Sequence, residues 1–327
     1  MILAGDIGGT HTRLALFEGT KELKVAAQEI FSSREHADLL PIVQKFLGMH
    51  PASIAHACFG IAGPVRNGKC QATNLPWIVD SGNLSRSLQL KSVHLINDLE
   101  ANGWGIRVLK QEDLFLLHEG NPTQKGNIAL IAAGTGLGEA GLYWDGEEHH
   151  PFACEGGHVD FGPRNAMEIE LLVYLNKIYS SHVSYERVVS GPGLKNIYEF
   201  LIKTNRETES QELKEEMKRR DLAQLISEWG RSGRDAGCAR ALDWFLSLYG
   251  AEAGNLALKF MARGGVYIGG GIAPHLLDKL KEGGFMEGFL DKGRFRSLLE
   301  TISVRVILND LTALLGAAEY ARQHARD

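Results

Sequence analysis

The chain has 327 residues, of which 44% are hydrophobic and 23% charged, with a net charge of -5. That is the composition of a soluble globular protein, long enough that two domains are expected. It argues against a nucleic-acid partner, which favours a basic face, and against a membrane span, which needs roughly eighteen consecutive apolar residues.

The first segments alternate apolar runs with turns. Ile2 to Asp6, Thr12 to Phe17 and Leu23 to Phe31 read as strands, reversed at Gly8-Gly9 and Glu18-Gly19. Their spacing leaves no room for helical crossovers, which predicts an antiparallel meander. Leu39, Ile42, Val43, Phe46 and Leu47 then recur at helical spacing, with Pro41 near the helix start. Ile54 to Ala62 and Val93 to Ile96 are further strands, so this half reads as a mixed α/β domain.

The opening pattern returns later. Strand Ile128 to Ala133, the turn Gly134-Thr135-Gly136-Leu137-Gly138 and strand Ala140 to Trp144 suggest two related halves. Thr204 to Asp221 is dense in charge, and the pairs Glu215/Arg219 and Glu216/Arg220 predict a solvated helix. Cys238, Leu242, Phe245, Tyr249, Leu256 and Phe260 make one core-facing helical stripe. Strand Val266 to Ile268, Gly269-Gly270-Gly271, a helical pattern over Leu276 to Lys281, strand Val304 to Leu308 and helix Leu311 to Ala321 complete the chain. The start, MILAGDIGGTHTR, lacks the basic and apolar regions of a secretory signal. Cys58, Cys70, Cys154 and Cys238 are scattered without a C-x-x-C pair. Free thiols in a reducing cytoplasm are expected.

Two glycine motifs mislead. Gly63-Pro64-Val65-Arg66-Asn67-Gly68-Lys69-Cys70 resembles a P-loop but ends on Cys70 where a magnesium-binding hydroxyl is required. Its Asn-Gly pair predicts a hairpin instead. Gly136-Leu137-Gly138-Glu139-Ala140-Gly141 fits a dinucleotide fingerprint, yet Leu142 to Gly146 continues as strand and turn, where that mechanism needs a helix. A hairpin offering backbone N–H groups to a phosphate fits better.

Several groups can carry chemistry. In Asp6-Ile7-Gly8-Gly9-Thr10 the glycines let amides close on an anion, Thr10 adds a hydroxyl, and Asp6 can hold magnesium through water; the bland reading is a Gly-Gly hairpin after a buried Asp. Gly134 to Gly138 offers a second cradle of the same kind. Asn97-Asp98 ends an apolar strand, where a charged group faces a ligand crevice in open α/β sheets, but either residue could simply cap the following helix. Glu155-Gly156-Gly157-His158-Val159-Asp160 packs three ionisable groups around two glycines, with too few histidines for a good metal set. Glu186 alone reads as an exposed helical residue paired with Arg187 or another cation.

Taken in order, Gly5-Asp6-Ile7-Gly8-Gly9-Thr10, Ile96-Asn97-Asp98, Gly134 to Gly138, Glu155 to Phe161, Ser190-Gly191-Pro192-Gly193-Leu194 and Gly269-Gly270-Gly271-Ile272 resemble the bacterial glucokinases. These belong to the hexokinase-like branch of the actin-fold ATPases, and the resemblance covers nearly the whole chain. It implies a two-domain actin-like ATPase (ribonuclease H-like) fold: a small α/β domain, 1–109 plus 309–327, and a larger α+β domain, 110–308, with a cleft between them. It further implies ATP-dependent phosphorylation of glucose at the C6 hydroxyl, with Asp98 as general base. Asn97, Glu155, His158 and Glu186 would bind sugar hydroxyls. Asp6, Gly8, Gly9, Thr10, Gly134, Thr135, Gly136 and Gly138 would hold the ATP phosphates, Asp6 with magnesium through water, while Gly269, Gly270 and Gly271 lie against the adenosine. A cytoplasmic homodimer is also implied.

One position departs from the family pattern: His11 stands where Asn usually follows Gly-Gly-Thr. The related repressor/kinase sugar family carries a cysteine-rich zinc cluster beside its sugar-site histidine; no cysteine follows in Val159-Asp160-Phe161-Gly162-Pro163, so zinc is not expected. A non-catalytic sugar sensor would need an added DNA-binding element or a lost base. A chaperone- or filament-type ATPase would have no use for the sugar-binding set.

Overall fold

The computed structural model describes residues 1–19, 22–180 and 182–325. The chain divides into two compact units: Met1–Asp113, His149–Ala153 and Asn309–Asp327 form one, Leu114–Glu148 and Cys154–Leu308 the other.

In the first unit β1 (Ile2–Ile7), β2 (His11–Glu18) and β3 (Lys24–Ser32) form the expected antiparallel meander. Helix α1 (Leu39–Met49) starts where Asp38 Oδ1 accepts from Leu39 N at 2.7 Å, with Pro41 in its first turn. Strand β4 (His56–Ile61) then lies parallel to β1, and β5 (Val93–Asn97) parallel to β4, giving the order β3-β2-β1-β4-β5. Both faces of this sheet are covered. Leu3, Ile7, Leu14 and Leu16 pack with Leu39, Ile42, Val43 and Phe46 of α1. On the other face Ile2, Ala4, Ala15 and Phe17 meet Ala313, Leu314, Ala317 and Ala318 of the closing helix Thr312–Gln323. Burial on two sides explains why β1 reads as a nearly unbroken apolar run.

The second unit repeats that wiring. Strands β6 (Leu114–His118), β7 (Ile128–Ala133), β8 (Leu137–Trp144), β9 (Gly265–Gly269) and β10 (Val304–Ile307) run in the order β8-β7-β9-β10-β6. The antiparallel hairpin β7/β8 and the parallel pairs β7/β9 and β9/β10 reproduce β1/β2, β1/β4 and β4/β5. Helix α3 (Gly191–Lys203) and the long α4 (Ala236–Phe260) cover this sheet. The expected stripe is buried from Cys238 to Leu256, with Phe260 half-buried at the end.

Two local expectations change. The strand after the second glycine turn starts at Leu137, so Gly138 sits inside β8 opposite Ala132 and not in the turn. The charge-dense stretch is helical only over Gln211–Glu216, because the chain turns at Met217 and a new helix begins after the Asp221 cap. Glu215 therefore pairs with Lys218 at 2.7 Å, and Arg220 bonds Glu228 at 2.5 Å, with Glu216 at 3.9 Å. The helical pattern over Leu276 to Lys281 forms as Leu277–Lys281, preceded by a separate short helix Ile272–His275.

Helix α2 (Asp98–Ile106) and the closing helix touch through their backbones. A methyl group on Gly316 would overlap the Ala101 carbonyl, and one on Gly105 the Thr312 carbonyl. Gly48 of α1, by contrast, has open space around it. The same substitution should act with opposite sign at the two positions. Gly316→Ala is expected to destabilise by about 1–3 kcal/mol through overpacking. Gly48→Ala should stabilise by a few tenths to about 1 kcal/mol through helix propensity. Thermal melts of the two variants beside the parent check this.

Candidate active site

The first glycine turn is closed by four polar contacts. Gly8 N donates to His11 O at 3.0 Å, and Ser33 N to Thr10 O at 2.9 Å. Ser33 Oγ donates to Gly8 O at 2.8 Å and lies 3.0 Å from Thr12 Oγ1, both side chains being fully buried. Thr10 and His11 are exposed on the outside of this frame. Gly9 must be glycine, because a Cβ there would stand 2.5 Å from Asn74 Cβ. The sequence gives no sign of Ser33 or Asn74, since both reach the turn from distant segments. Asp6 lies in β1 opposite Arg13. Burial pushes its carboxyl above the ordinary value, and the Arg13 charge partly offsets this.

Asn97 and Asp98 divide their work. Asn97 is the helix cap: its Oδ1 accepts from Leu99 N at 2.9 Å and Glu100 N at 3.3 Å, and its Nδ2 donates to Gly63 O at 3.2 Å. The amide keeps one N–H beyond that bond. Asp98 is the first residue of α2. Burial, and the negative charge of Asp98, push the Cys70 thiol up. Cys70 belongs to the Val65–Gln71 hairpin, whose tip residues Asn67 and Gly68 have φ of 52° and 71°. The P-loop look-alike is therefore the expected Asn-Gly hairpin. The triplet Asn-Asp-Leu recurs at Asn309, where Asn309 Oδ1 accepts from Leu311 N at 2.9 Å and Arg13 meets Asp310 at 3.3 Å.

In the second unit three segments meet at the end of β7. Gly134 N donates to Gly136 O at 2.9 Å, closing the turn, and Gly191 N donates to Gly134 O at 2.8 Å. Ser190 Oγ caps α3 by accepting from Gly193 N at 3.0 Å, and donates to Glu186 O at 2.7 Å. Ala133 N, the last amide of β7, donates to the Tyr249 hydroxyl at 3.1 Å. Gly270 has φ of +78°, and a Cβ there would overlap the Ala133 carbonyl. The Gly269–Gly271 bend thus lies directly beside the glycine turn, with open space at Gly271.

Glu155, His158 and Glu186 are carried by two short turns that run side by side. Gly156–His158 and Tyr185–Arg187 are each a single 3-10 turn. Tyr185 N donates to Val159 O at 3.1 Å, Phe161 N to Val183 O at 2.9 Å, and Asp160 pairs with Ser184 across the seam. Glu155 and His158 are exposed and Glu186 half-buried. Glu186 is not the solvated helical residue its neighbours suggest. Its Oε2 accepts from Leu137 N at 3.0 Å, while Arg187 stacks on the Tyr179 ring at 4.1 Å.

Beneath Gly156 lies a carboxylate that motif reading passes over. Glu139, on β8, is 1% exposed, and neither of its oxygens meets a donor among the described residues. Burial first, then the charge of Glu252, raises its pKa to about 8, with Lys259 opposing. Glu252 is itself fully buried, bonded to Asn255 at 2.8 Å and Lys259 at 3.2 Å. In the unfolded chain the Glu139 carboxyl loses its proton near 4.5, whereas the folded state keeps it until about pH 8. The native state holds the extra proton across that window, so stability falls as pH rises through it, with a limiting slope of roughly 1.4 kcal/mol per pH unit. Glu139→Gln lacks that proton. Its melting temperature relative to the parent is expected to climb from pH 5 to pH 8, and a constant difference would contradict the assignment.

Comparison with known proteins finds relatives that span nearly the whole chain. The glucokinase family model matches residues 3–324. A glucokinase from Synechocystis sp. is 44% identical, the alignment covering 98% of each chain. The crystal structure of a glucokinase from an Antarctic psychrotroph superposes with a TM-score of 0.84 at 30% identity, covering 98% of each chain. A glucokinase of the repressor/kinase family from Streptomyces griseus, solved with glucose and AMPPNP, shares the fold at a TM-score of 0.67 and 19% identity, over 98% of this chain and 99% of that one. With a family model spanning almost every residue, the chain belongs to the glucokinase family and has the two-domain actin-like ATPase fold.

Proposed function

We propose that this enzyme transfers the γ-phosphoryl group of ATP to the C6 hydroxyl of glucose, with Asp98 as the general base. As a glucokinase-family member the chain is an ATP-dependent glucose kinase; the assignment of residues to steps is ours. The observation that carries it is the division of labour between Asn97 and Asp98. The capping bonds come from Asn97, so the structural role that competed with catalysis at Asp98 is filled by its neighbour.

In this reading Asp98 accepts the C6 hydroxyl proton as that oxygen attacks the γ-phosphorus. The new O–P bond forms while the bond to the bridging oxygen breaks, and ADP departs with that oxygen's electron pair. The Gly8-Gly9-Thr10 turn and the Gly134-Thr135-Gly136 turn, with Gly138 at the base of the second, would each offer the triphosphate the backbone N–H groups not spent on closing the turn, as Gly8 N and Gly134 N are. Positioning and charge neutralisation then supply most of the acceleration. Gly269, Gly270 and Gly271 provide a side-chain-free surface for the adenosine. Asn97, with its remaining N–H, and Glu155, His158 and Glu186 bond the sugar hydroxyls. Each hydroxyl left unpaired would cost roughly 1–3 kcal/mol.

Asp6 suits magnesium. That cation binds through one or two carboxylates, waters and substrate phosphates, and Asp6 is a half-buried carboxyl whose ionised form burial disfavours. Bound there through water, magnesium would neutralise charge on the triphosphate. We also propose a cytoplasmic location, with no nucleic-acid or membrane partner, and a homodimer. The dimer is supported by Ile169 and Val173, one helical turn apart on Ala166–Tyr179 and each 52% exposed.

Asp98→Asn preserves shape and removes the base. The expected outcome is a fall in kcat of about 10²–10⁴-fold, with the glucose Kd measured by calorimetry little changed; near-parent turnover would sink the assignment. Sedimentation velocity should give a species of twice the 35.9 kDa chain mass. A single monomeric boundary at micromolar concentration would remove the dimer.

A further inference from the structure

We propose that Glu186 is a positioning residue that couples the sugar-binding segments to the phosphate turn, so that hexose and nucleotide bind cooperatively. The proposal rests on the reading of Glu186 as a sugar contact and goes beyond it.

The geometry is a clasp. One oxygen of the Glu186 carboxylate accepts from Leu137 N at 3.0 Å, at the point where the turn becomes β8. A Cβ on Gly136 would stand 2.6 Å from that same oxygen, so the turn and the carboxylate are in close contact. The Glu186 main chain is held as well, its carbonyl accepting from Ser190 Oγ at 2.7 Å, and Gly191 N reaches Gly134 O at 2.8 Å. Residues 186–191 therefore grip the turn at both its ends. On the other side the clasp is anchored to the segment bearing Glu155 and His158, through Tyr185 N to Val159 O at 3.1 Å and the Asp160/Ser184 bridge. The Tyr185 hydroxyl, bonded to Asn255 at 3.0 Å, fixes the clasp to α4.

A carboxylate has two oxygens and about four acceptor sites. With Oε2 committed to Leu137 N, Oε1 remains for a sugar hydroxyl. A hydroxyl bonded there fixes the carboxylate plane, and the fixed carboxylate orients the Leu137 amide and the Gly136 backbone beside it. Binding of one ligand then prepays part of the ordering that the other requires, which is positive cooperativity. The same linkage must run in reverse, from nucleotide to sugar.

Two substitutions separate this coupling from simple contact. Glu186→Ala removes the clasp. Gly136→Ala displaces the carboxylate from the turn side, and it should fold, since the added methyl meets only the far end of a flexible side chain. Calorimetry with AMPPNP, in the presence and absence of saturating glucose, gives the coupling factor; titration with glucose alone gives the sugar affinity. In the parent, glucose is expected to tighten AMPPNP by about five-fold or more. In Glu186→Ala that factor should fall to near one. Gly136→Ala should weaken glucose alone by several-fold, about 1 kcal/mol of interaction, and should do nothing further in the Glu186→Ala background.

A parent with no coupling, a Glu186→Ala variant that keeps the parent's factor, or strictly additive effects of the two substitutions would overturn the proposal. The two readings fail differently. If Glu186→Ala weakens glucose but keeps the coupling, the sugar contact stands and the clasp falls. If it leaves the glucose Kd unchanged, the sugar contact itself is wrong and the proposal falls with it.

Discussion

The end of strand β7 is the crowded point on which the second unit's arrangement depends. Its last residue, Ala133, gives its amide to the Tyr249 hydroxyl and has its carbonyl pressed against Gly270. The next three residues must reverse the chain with almost no side-chain volume. Two of the turn carbonyls are taken, Gly136 O by Gly134 N and Gly134 O by Gly191 N, and Thr135 is exposed on the outer face. Buried amides and carbonyls without partners are costly, so these pairings hold the base of the turn in place. An anion site gains from donors already aimed, and the ordering still to be supplied at Gly136 and Leu137 is what the Glu186 carboxylate provides.

The same economy explains why glycine clusters where it does. Gly191 and Gly270 come from segments far along the chain from the Gly134/Gly136 turn, yet Gly191 N reaches Gly134 O and Gly270 packs on the Ala133 carbonyl. Read locally, each is an ordinary turn residue. Their significance lies in mutual packing, which a linear sequence does not display. The strands around them were legible for a different reason. Continuous apolar runs such as Ile128 to Ala133 identify themselves by composition, and burial on both faces removes the alternation that would otherwise mark one exposed side. The recurrence of strand, glycine turn and strand was also visible, because it repeats chemistry and not exact residues. The matching order β2-β1-β4-β5 and β8-β7-β9-β10 extends that recurrence to strands whose sequences share little.

Asn97-Asp98 and Glu186 show the limit of local reading from two sides. For Asn97-Asp98 the sequence offered two roles and two residues, and only the hydrogen bonds show that the cap belongs to Asn97. For Glu186 the adjacent Arg187 invited an ion pair. The arginine instead stacks on Tyr179, and the carboxylate turns to a backbone amide forty-nine residues upstream. Long-range bonds of this kind depend on which turns the fold brings together. Glu139 is a third case: a glutamate in a strand normally reads as solvent-facing, and here the register with Ala129 to Ala133 and the cover from α4 enclose it.

His11 can now be judged by the same accounting. The first glycine turn takes from position 11 only its backbone carbonyl, which accepts from Gly8 N. Any residue supplies that group equally well. Alternation along β2 sends Thr12 inward to Ser33 and leaves the His11 side chain exposed. The shape of the turn is therefore set by Gly8, Ser33 and Thr12, and is indifferent to whether asparagine or histidine stands at 11. A consequence of the substitution must arise outside the frame, where the imidazole can meet whatever occupies the turn. Such an effect would show in nucleotide affinity and not as a loss of stability.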